Sequence, residues 1–280
     1  MNKRILIIVG IAVVFLVILA SLTIMRRPAS ESRDSAQDKQ GKALFSFSSA
    51  SALYKEAREL ENKENFYEAK SFYQKLIAEH ANSREVMNWQ KKLEALNIKI
   101  LFSPTLTPKS TIYEIKPGDT LTKIAKEFQT TIELIQKANG IEGDKIMPGD
   151  KVKVWTAPFT ISIDKSQNIL ILKSDEEIIK TYVVATGANN STPVGKFKIV
   201  NKLVDPTWFK AGAVVPSDSP ENILGSRWMG INMVGYGIHG TTEPESVGKQ
   251  VTQGCVRMVN SEVEELYSIV PVGTEVIIVD

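Results

Sequence analysis

Residues 159–174 read FTISIDKSQNILILKS, two apolar runs on either side of a polar cluster. Apolar and polar positions alternate in each run, which is typical of a half-buried β-strand. Further runs of this kind follow, separated by Gly, Pro, Asn and Asp: IIKTYVVATG, GKFKIV, MGINMV and TEVIIVD. Residues 157–280 are therefore predicted to form a β-rich sandwich or barrel, which is long enough to have a core of its own.

One short helix is expected in this domain. Ser261 and Glu264 form a capping box, so the helix should begin near Glu262 and end at Ile269, before Pro271.

A long loop that contains Pro and Gly, residues 205–226, lies between two of the predicted strands. Its length makes it a candidate lid over a cleft. Trp208, Phe209 and Trp228 could line that cleft or pack in the core. The core interpretation is favoured, because large aromatic side chains dominate protein interiors.

The chain has 280 residues, of which 43% are apolar and 24% charged. This composition is that of a globular protein with one to three domains, and it excludes collagen, a wholly disordered chain and a polytopic membrane protein. The formal net charge is only +2. Because the basic excess lies around an N-terminal apolar segment and not on a predicted folded face, nucleic-acid binding is not expected.

The N-terminal segment, residues 5–24, reads ILIIVGIAVVFLVILASLTI and carries no charge. As a helix it is long enough to cross the hydrocarbon core of a membrane. It exceeds the apolar region of a typical signal peptide and no clear cleavage site follows, so an uncleaved anchor over residues 1–27 is favoured. The Ser-rich residues 28–49 predict a flexible linker.

Residues 50–97 show helical spacing of apolar residues, which predicts two helices and a third packed on them. The pattern Leu53, Ala57, Leu60, Ala69, Tyr73 and Ile77 resembles a single tetratricopeptide repeat. Because stacked repeats need about three units for independent stability, the resemblance implies docking on the rest of the chain, on a second copy or on a protein partner. Residues 98–110 contain two prolines and are predicted to be a semi-extended linker.

Residues 111–156 predict the order βααβ. A strand over residues 112–116 is followed by a turn and a helix from about Leu121 to Phe128. The second helix is expected behind a capping box of Thr130 and Glu133, and it should stop at Asn139. The turn MPGD then leads into a strand over residues 151–155.

This segment closely resembles a LysM domain through YEIKPGDTLTKIAKEF, KANG and IMPGDKVKV, which occur in the family's order and spacing. The resemblance implies binding of glycans that contain N-acetylglucosamine, such as peptidoglycan. The residues expected to border the sugar are Gly118, Asp119, Thr120, Asn139, Gly140 and Ile141.

Cys255 is the single cysteine of the chain, so any thiol chemistry rests on it. A free thiol has a pKa of about 8.5, and a nucleophilic role requires a nearby base. His239 is the one histidine of the C-terminal domain, and both residues lie in glycine-dense segments whose backbone N–H groups can approach an oxyanion. The alternative is a small buried apolar cysteine. One Cys and one His are too few ligands for zinc, so no metal site is expected.

The segments TGANNSTPVGKFKI (186–199), GYGIHGT (235–241) and TQGCVRM (252–258) closely resemble the YkuD-type L,D-transpeptidase domain. The resemblance implies that Cys255 is the nucleophile, His239 its base, and the Gly240 carbonyl the group that orients His239. The amides around Gly254 and Cys255 would form the oxyanion hole. The residues expected to contact substrate are Arg257, Thr252, Gln253 and Tyr236.

One departure from the family pattern is that Thr252 and Gln253 stand where Ser and His are usual. Because that His is not the general base of the family scheme, activity is expected to survive. The resemblance implies a membrane-anchored peptidoglycan L,D-transpeptidase that forms 3→3 crosslinks without a cofactor. The catalytic domain would lie on the extracytoplasmic side of a bacterial cytoplasmic membrane. Two alternatives remain open, an L,D-carboxypeptidase that uses the same thioester and a non-catalytic wall-binding scaffold.

Overall fold

The computed structural model describes residues 49–210 and 212–280. The predicted membrane segment, residues 5–24, and the Ser-rich segment up to residue 48 lie outside the described residues. Within the described ranges, no helix combines the length and the apolar character needed to cross a membrane. The chain divides into two compact units, one that ends at Leu96 and one that comprises Asn97–Asp280.

The first unit is helical. It contains α1 (Ala50–Asn62), α2 (Phe66–Glu79) and most of α3 (Val86–Leu101). The Ser49 side chain caps α1 by accepting a hydrogen bond from the amide of Ala52. The predicted apolar stripe forms the core of the first two helices, with Leu53, Ala57, Ala69, Tyr73, Leu76 and Ile77 buried. The predicted helices are confirmed, whereas the tetratricopeptide assignment stays a prediction.

The linker predicted for residues 98–110 is wrong at its start, because α3 continues to Leu101. Ile98, Ile100 and Leu101 are buried, so the apolar face of the helix extends four residues further than expected. The end of the helix is capped from a distance: Lys153 Nζ donates to the carbonyls of Ile100 at 2.5 Å and Ser103 at 2.7 Å.

A βααβ domain follows, as predicted, with β1 (Ser110–Glu114), α4 (Leu121–Glu127), α5 (Ile132–Asn139) and β2 (Lys151–Trp155). The two strands pair antiparallel, from Ser110 opposite Trp155 to Glu114 opposite Lys151. The cap predicted for the second helix is wrong by one residue. Thr131, in extended conformation, accepts from the amide of Leu134, whereas the Thr130 hydroxyl is buried without a partner among the described residues.

The C-terminal domain is β-rich, as predicted. Its elements are β3 (Phe159–Asp164), β4 (Ile169–Ser174), β5 (Glu177–Val183), β6 (Thr186–Gly187), β7 (Gly195–Val204), β8 (Trp208–Lys210), β9 (Ala213–Val215), β10 (Arg227–Ile231), β11 (Gly237–His239), β12 (Gln250–Thr252), β13 (Val256–Arg257), α6 (Asn260–Ile269) and β14 (Glu275–Val279). Eight strands form one mixed sheet in the order β13-β11-β10-β7-β14-β3-β4-β5. The β11–β13 and β14–β3 pairs are parallel. Three further pairs, β1–β2, β12–β6 and β8–β9, form separate two-stranded sheets.

Helix α6 begins earlier than the predicted capping box of Ser261 and Glu264. Its N-cap is Val259, which has no side-chain cap, and the first helical residue is Asn260. The Asn260 side chain does not cap the helix but binds two other segments, because its Oδ1 accepts hydrogen bonds from the amides of Ser226 at 3.2 Å and Thr241 at 3.0 Å. A capping box is therefore absent at this end of α6, and the helix start instead holds two loops.

The βααβ domain and the C-terminal domain share a core. Leu134 of α5 and Trp155 of β2 belong to the same buried cluster as the strands of the large sheet. At the contact of α5 with α6, Thr131 Oγ1 donates to the carbonyl of Ser268 at 2.5 Å and Lys137 Nζ donates to Ser268 Oγ at 2.8 Å. Burial of this shared surface holds the two domains together.

A first prediction concerns Lys153, whose side chain is only 1% exposed. Burial lowers the pKa of Lys153 to about 8, below the value of about 10.4 expected in the unfolded chain. Between these two pH values the unfolded chain binds more protons, so the free energy of unfolding should rise with pH. Between about pH 8 and about pH 9, this group should raise the free energy of unfolding by roughly 1 kcal/mol.

Urea unfolding of the wild type and of Lys153→Met across this pH range checks the prediction. The variant should show a smaller increase with pH than the wild type. An identical pH dependence in both proteins would contradict the assignment of a buried, charged Lys153.

Candidate active site

The site lies on one face of the large sheet. In register, His239 of β11 pairs with Arg257 of β13 on one side and with Trp228 of β10 on the other. Their neighbours Ile238, Val256 and Met229 point into the core. Because side chains alternate along a strand, His239, Arg257 and Trp228 lie on the face opposite the core.

Cys255 stands two residues before Arg257, at the entrance to β13, and therefore on the side of the sheet where His239 lies. The thiol is half-buried, and its Sγ lies 3.4 Å from the Gly235 carbonyl, to which it donates. Burial raises the pKa of Cys255, against the opposing effects of the Gly237 amide and the Arg257 charge. The resting side chain is therefore a protonated thiol at neutral pH.

His239 is 2% exposed. Its Nδ1 lies 2.6 Å from the Gly240 carbonyl. A carbonyl can only accept, so the Nδ1 atom carries the proton and Nε2 is the basic nitrogen. Burial, helped by the charge of Arg257, lowers the pKa of His239 to about 4, although the Gly240 and Leu224 carbonyls act in the opposite direction. His239 is thus neutral at physiological pH and able to accept a proton.

The turn before Cys255 is held by two threonines. Thr252 Oγ1 donates to the Cys255 carbonyl at 2.6 Å and accepts from the Gly254 amide at 3.1 Å. Thr192 Oγ1 donates to the Gly254 carbonyl at 2.9 Å. Thr252, predicted to contact substrate, therefore holds the backbone of the turn that carries Cys255.

Gly254 occupies a position that only glycine fits. Its φ is +128°, and a Cβ added there would lie 2.6 Å from Cε1 of Tyr236. The half-buried Tyr236 ring therefore packs directly on the turn that carries Cys255.

The predicted oxyanion hole is only partly available. The Gly254 amide is already bonded to Thr252, so it is not free to bind an oxyanion while that bond is present. The Cys255 amide makes no backbone or side-chain hydrogen bond to the residues that the structure describes. The Cys255 N–H is therefore the available donor of this turn.

Arg257 is 6% exposed, and its guanidinium is held at one end: Nη1 contacts Glu243 at 2.7 Å and Ser246 Oγ at 3.0 Å. Its Nε is buried without a partner in the described part of the chain. Gln253, by contrast, has an exposed side chain. Of the predicted substrate contacts, the fold thus brings Arg257 and Tyr236 to the thiol and directs Gln253 outward.

The predicted glycan residues of the βααβ domain mostly have structural roles. Asp119 accepts hydrogen bonds from the Lys116 amide and from the Tyr113 hydroxyl, and both lower the pKa of Asp119. Thr120 caps α4. Asn139 donates to two backbone carbonyls and accepts from the Lys153 amide, so its amide group is committed to holding β2.

Gly140 ends α5 in the left-handed conformation, with a φ of 65°, and Ile141 packs on the core of this domain. Gly118 is exposed in the loop before α4, with a φ of +84° and open space around it. Of the predicted set, Gly118, Thr120 and Gly140 are exposed, and both glycines have open space around them.

Comparison with known proteins adds to this geometry. Residues 158–278 match the profile of the L,D-transpeptidase catalytic domain called YkuD, and residues 113–155 match the LysM domain. The YkuD protein of Bacillus licheniformis is 36% identical over 173 residues, which cover 59% of this chain and 96% of that protein. The chain belongs to the YkuD family of L,D-transpeptidases.

A second relative of this L,D-transpeptidase is the YqjB protein of Bacillus subtilis. It is 40% identical over 144 residues, which cover 49% of this chain and 76% of that protein. Both relatives carry L,D-transpeptidase in their names. The chain is thus an L,D-transpeptidase with a LysM domain, and the site described above lies within its catalytic domain.

The core position favoured for Trp228 from the sequence of this L,D-transpeptidase is wrong. Trp228 was expected in the core, but it lies beside His239 on the face that carries the site, with ring centroids 5.9 Å apart. The alternation in RWMGI contained the signal, since Met229 and Ile231 are core residues and Trp228 must then point the other way. Phe209 was also expected in the core and is 76% exposed.

A second prediction concerns the resting thiol. Because burial raises the pKa of Cys255, the rate of alkylation by iodoacetamide should keep rising above the ordinary thiol value of about pH 8.5. Mass spectrometry reports this site alone, since the chain has one cysteine. Cys255→Ser provides the blank. A plateau already reached below about pH 7 would instead indicate a thiolate–imidazolium pair and contradict the neutral pair described here.

Proposed function

We propose that this L,D-transpeptidase is anchored in a membrane and joins peptidoglycan stems by 3→3 crosslinks. The observation that carries the proposed reaction is the placement of His239, whose Nδ1 is held by the Gly240 carbonyl, on the same sheet face as Cys255. The proposed anchor is supported by the uncharged apolar residues 5–24. The donor would be a tetrapeptide stem that loses its terminal D-Ala, and the acceptor a side-chain amine of a neighbouring stem.

In the first half-reaction, the Cys255 thiol leaves the Gly235 carbonyl and transfers its proton to Nε2 of His239. The sulfur attacks the carbonyl carbon of the third stem residue and forms a tetrahedral intermediate. The Cys255 amide donates to the oxyanion. As the C–N bond breaks, His239 returns the proton to the departing D-Ala amine, and a thioester remains on Cys255.

In the second half-reaction, the acceptor amine attacks the thioester carbon, and His239 takes a proton from the amine. Collapse of the tetrahedral intermediate forms the new amide bond and releases the Cys255 thiolate, which recovers a proton from His239. The reaction needs no cofactor, because the site supplies both the nucleophile and the base.

Arg257 is the residue that we assign to substrate binding. Its buried Nε lacks a partner among the described residues, while Nη1 is fixed by Glu243 and Ser246. A buried donor of this kind gains most from an anionic or carbonyl acceptor. We infer that the donor stem supplies it through a carboxylate or a backbone carbonyl.

The LysM domain would bind the glycan strands of the same polymer, which raises the local concentration of stems near Cys255. The open loop at Gly118 is its candidate contact with sugar. The helical module over residues 50–97 would serve as a contact for a protein partner or for a second copy. Residues 5–24 would anchor the chain in the bacterial cytoplasmic membrane, with the catalytic domain on the extracytoplasmic side.

A third prediction tests the reaction itself. The full chain in detergent is incubated with disaccharide-tetrapeptide, and the products are analysed by mass spectrometry. A crosslinked dimer should form, and it should be lost in Cys255→Ala and His239→Ala. His80→Ala is the matched control, because it removes the only other histidine of the chain and should leave the dimer unchanged.

Two other outcomes would contradict the proposed reaction. Tripeptide without dimer would show that water resolves the thioester, as in an L,D-carboxypeptidase. Unchanged tetrapeptide from a folded chain that binds insoluble peptidoglycan would show a wall-binding scaffold.

A fourth prediction tests the anchor. After peptidoglycan is digested to release LysM-bound protein, the full chain should stay with the membrane fraction, and a chain that lacks residues 1–27 should be soluble. Digestion before fractionation separates the two modes of attachment. A full chain that becomes soluble after digestion would contradict the membrane anchor.

A further inference from the structure

Trp228 covers the catalytic histidine. The two residues are directly opposite each other in the β10–β11 pair. Their rings are stacked, with 5.9 Å between the centroids and an angle of 20° between the planes. His239 lies on the face away from the core and is nevertheless 2% exposed, so side chains on that same face must exclude water from it.

The indole of Trp228 lies on two glycines. A Cβ added to Gly237 would be 2.8 Å from Cζ2 of the indole, and one added to Gly230 would be 2.9 Å from Nε1. Any side chain at either position would displace the ring. The two glycines therefore form a floor that lets the indole approach the backbone beside His239.

Asn201 holds the far edge of the indole. Its Oδ1 accepts from Trp228 Nε1 at 3.2 Å and from the Gly230 amide at 3.0 Å. Asn201 is the register partner of Gly230 across the β7–β10 pair, so one side chain fixes both the ring and the backbone beneath it. The ring is thus constrained at its polar edge, on its lower face and toward the imidazole.

We propose that Trp228 is a positioning residue for His239, which is held in place by Asn201 and the floor of Gly230 and Gly237. The indole fixes the plane of the imidazole, keeps water from it and so preserves the neutral base beside Cys255. This inference rests on the proposed function, because it assigns Trp228 a role in the proton transfers of that reaction.

A purely structural role for Trp228 does not account for its placement. The ring is half-buried and lies on the face opposite the core cluster, so it fills no space in that core. Among the described residues, Arg257, which contacts Glu243, is the one charged group that shifts the pKa of His239, and the uncharged Cys255 thiol lies on the same sheet face. The surroundings of the imidazole are therefore set mainly by burial, to which the indole contributes.

The experiment measures the His239 ring in the full chain by NMR, since the sequence contains only two histidines. His80→Ala identifies the remaining signal. Dimer formation from disaccharide-tetrapeptide is followed in the same samples. The variants are Trp228→Leu, Trp228→Phe and Asn201→Ala. The matched control is Val200→Ala, which truncates the exposed apolar residue next to Asn201 in β7.

In Trp228→Leu, the pKa of His239 should move up toward the ordinary value of about 6.5, and kcat should fall roughly 10- to 100-fold with little change in KM. Trp228→Phe keeps an aromatic ring and should retain most of the wild-type kcat. Asn201→Ala should fall between the two, and Val200→Ala should match the wild type. Far-UV circular dichroism checks that each variant is folded.

The inference is overturned if a folded Trp228→Leu keeps the wild-type pKa of His239 and the wild-type kcat. It is also overturned if KM rises while that pKa is unchanged, because Trp228 would then only contact substrate. If Trp228→Leu does not fold, the pKa of His239 and kcat are compared between Trp228→Phe and Asn201→Ala instead. Wild-type values of both in a folded Asn201→Ala would then overturn the inference. A wild-type chain without turnover would remove the proposed function, and the NMR titration would still decide whether Trp228 positions His239.

Discussion

The parallel pairing of β11 with β13 is the constraint on which the rest of the site depends. These strands have three and two residues, and their register brings His239 opposite Arg257. The pairing is extended by the amide of Met258, which donates to the His239 carbonyl at 2.8 Å, and by Ala185, which exchanges two backbone hydrogen bonds with Arg257. So short a ladder has little stability of its own. Neighbouring segments must therefore stabilise the β11–β13 pair.

Those neighbours act through close approach and through buried side-chain hydrogen bonds. Near His239, the Asn260 side chain accepts hydrogen bonds from the amides of Ser226 and Thr241. Thr241 follows Gly240, whose carbonyl contacts the His239 ring. Next to Cys255, the Thr252 hydroxyl accepts from the Gly254 amide and donates to the Cys255 carbonyl. Removing one partner of such a bond would leave a buried polar atom without a hydrogen bond, which lowers the stability of the folded state. His239 and Cys255 are therefore held by separate hydrogen-bond networks that meet at the β11–β13 pair.

The LysM domain joins the catalytic domain on the other side of this architecture. Met229 and Ile238 face the core that includes Leu266 of α6, whereas His239 faces away from it. Helix α6 in turn receives hydrogen bonds from Thr131 and Lys137 of α5 at Ser268. The LysM domain and the face that carries His239 thus lie on different sides of one unit that shares a hydrophobic core.

From the sequence alone we predicted the helices of the first unit, the βααβ order and the β-rich C-terminal domain, and the structure has all three. The sequence also pointed to Cys255 and His239 as the candidate nucleophile and base, which stays a prediction. These follow from local signals, since apolar periodicity, turn residues and compact motifs act over a few positions. Three features became visible only in the folded chain: α3 continues to Leu101, the Gly254 amide donates to Thr252, and Trp228 lies beside His239. The reason is physical: strand register, a long-range lysine cap and the face on which a ring packs depend on partners far away in the chain, which no local pattern specifies.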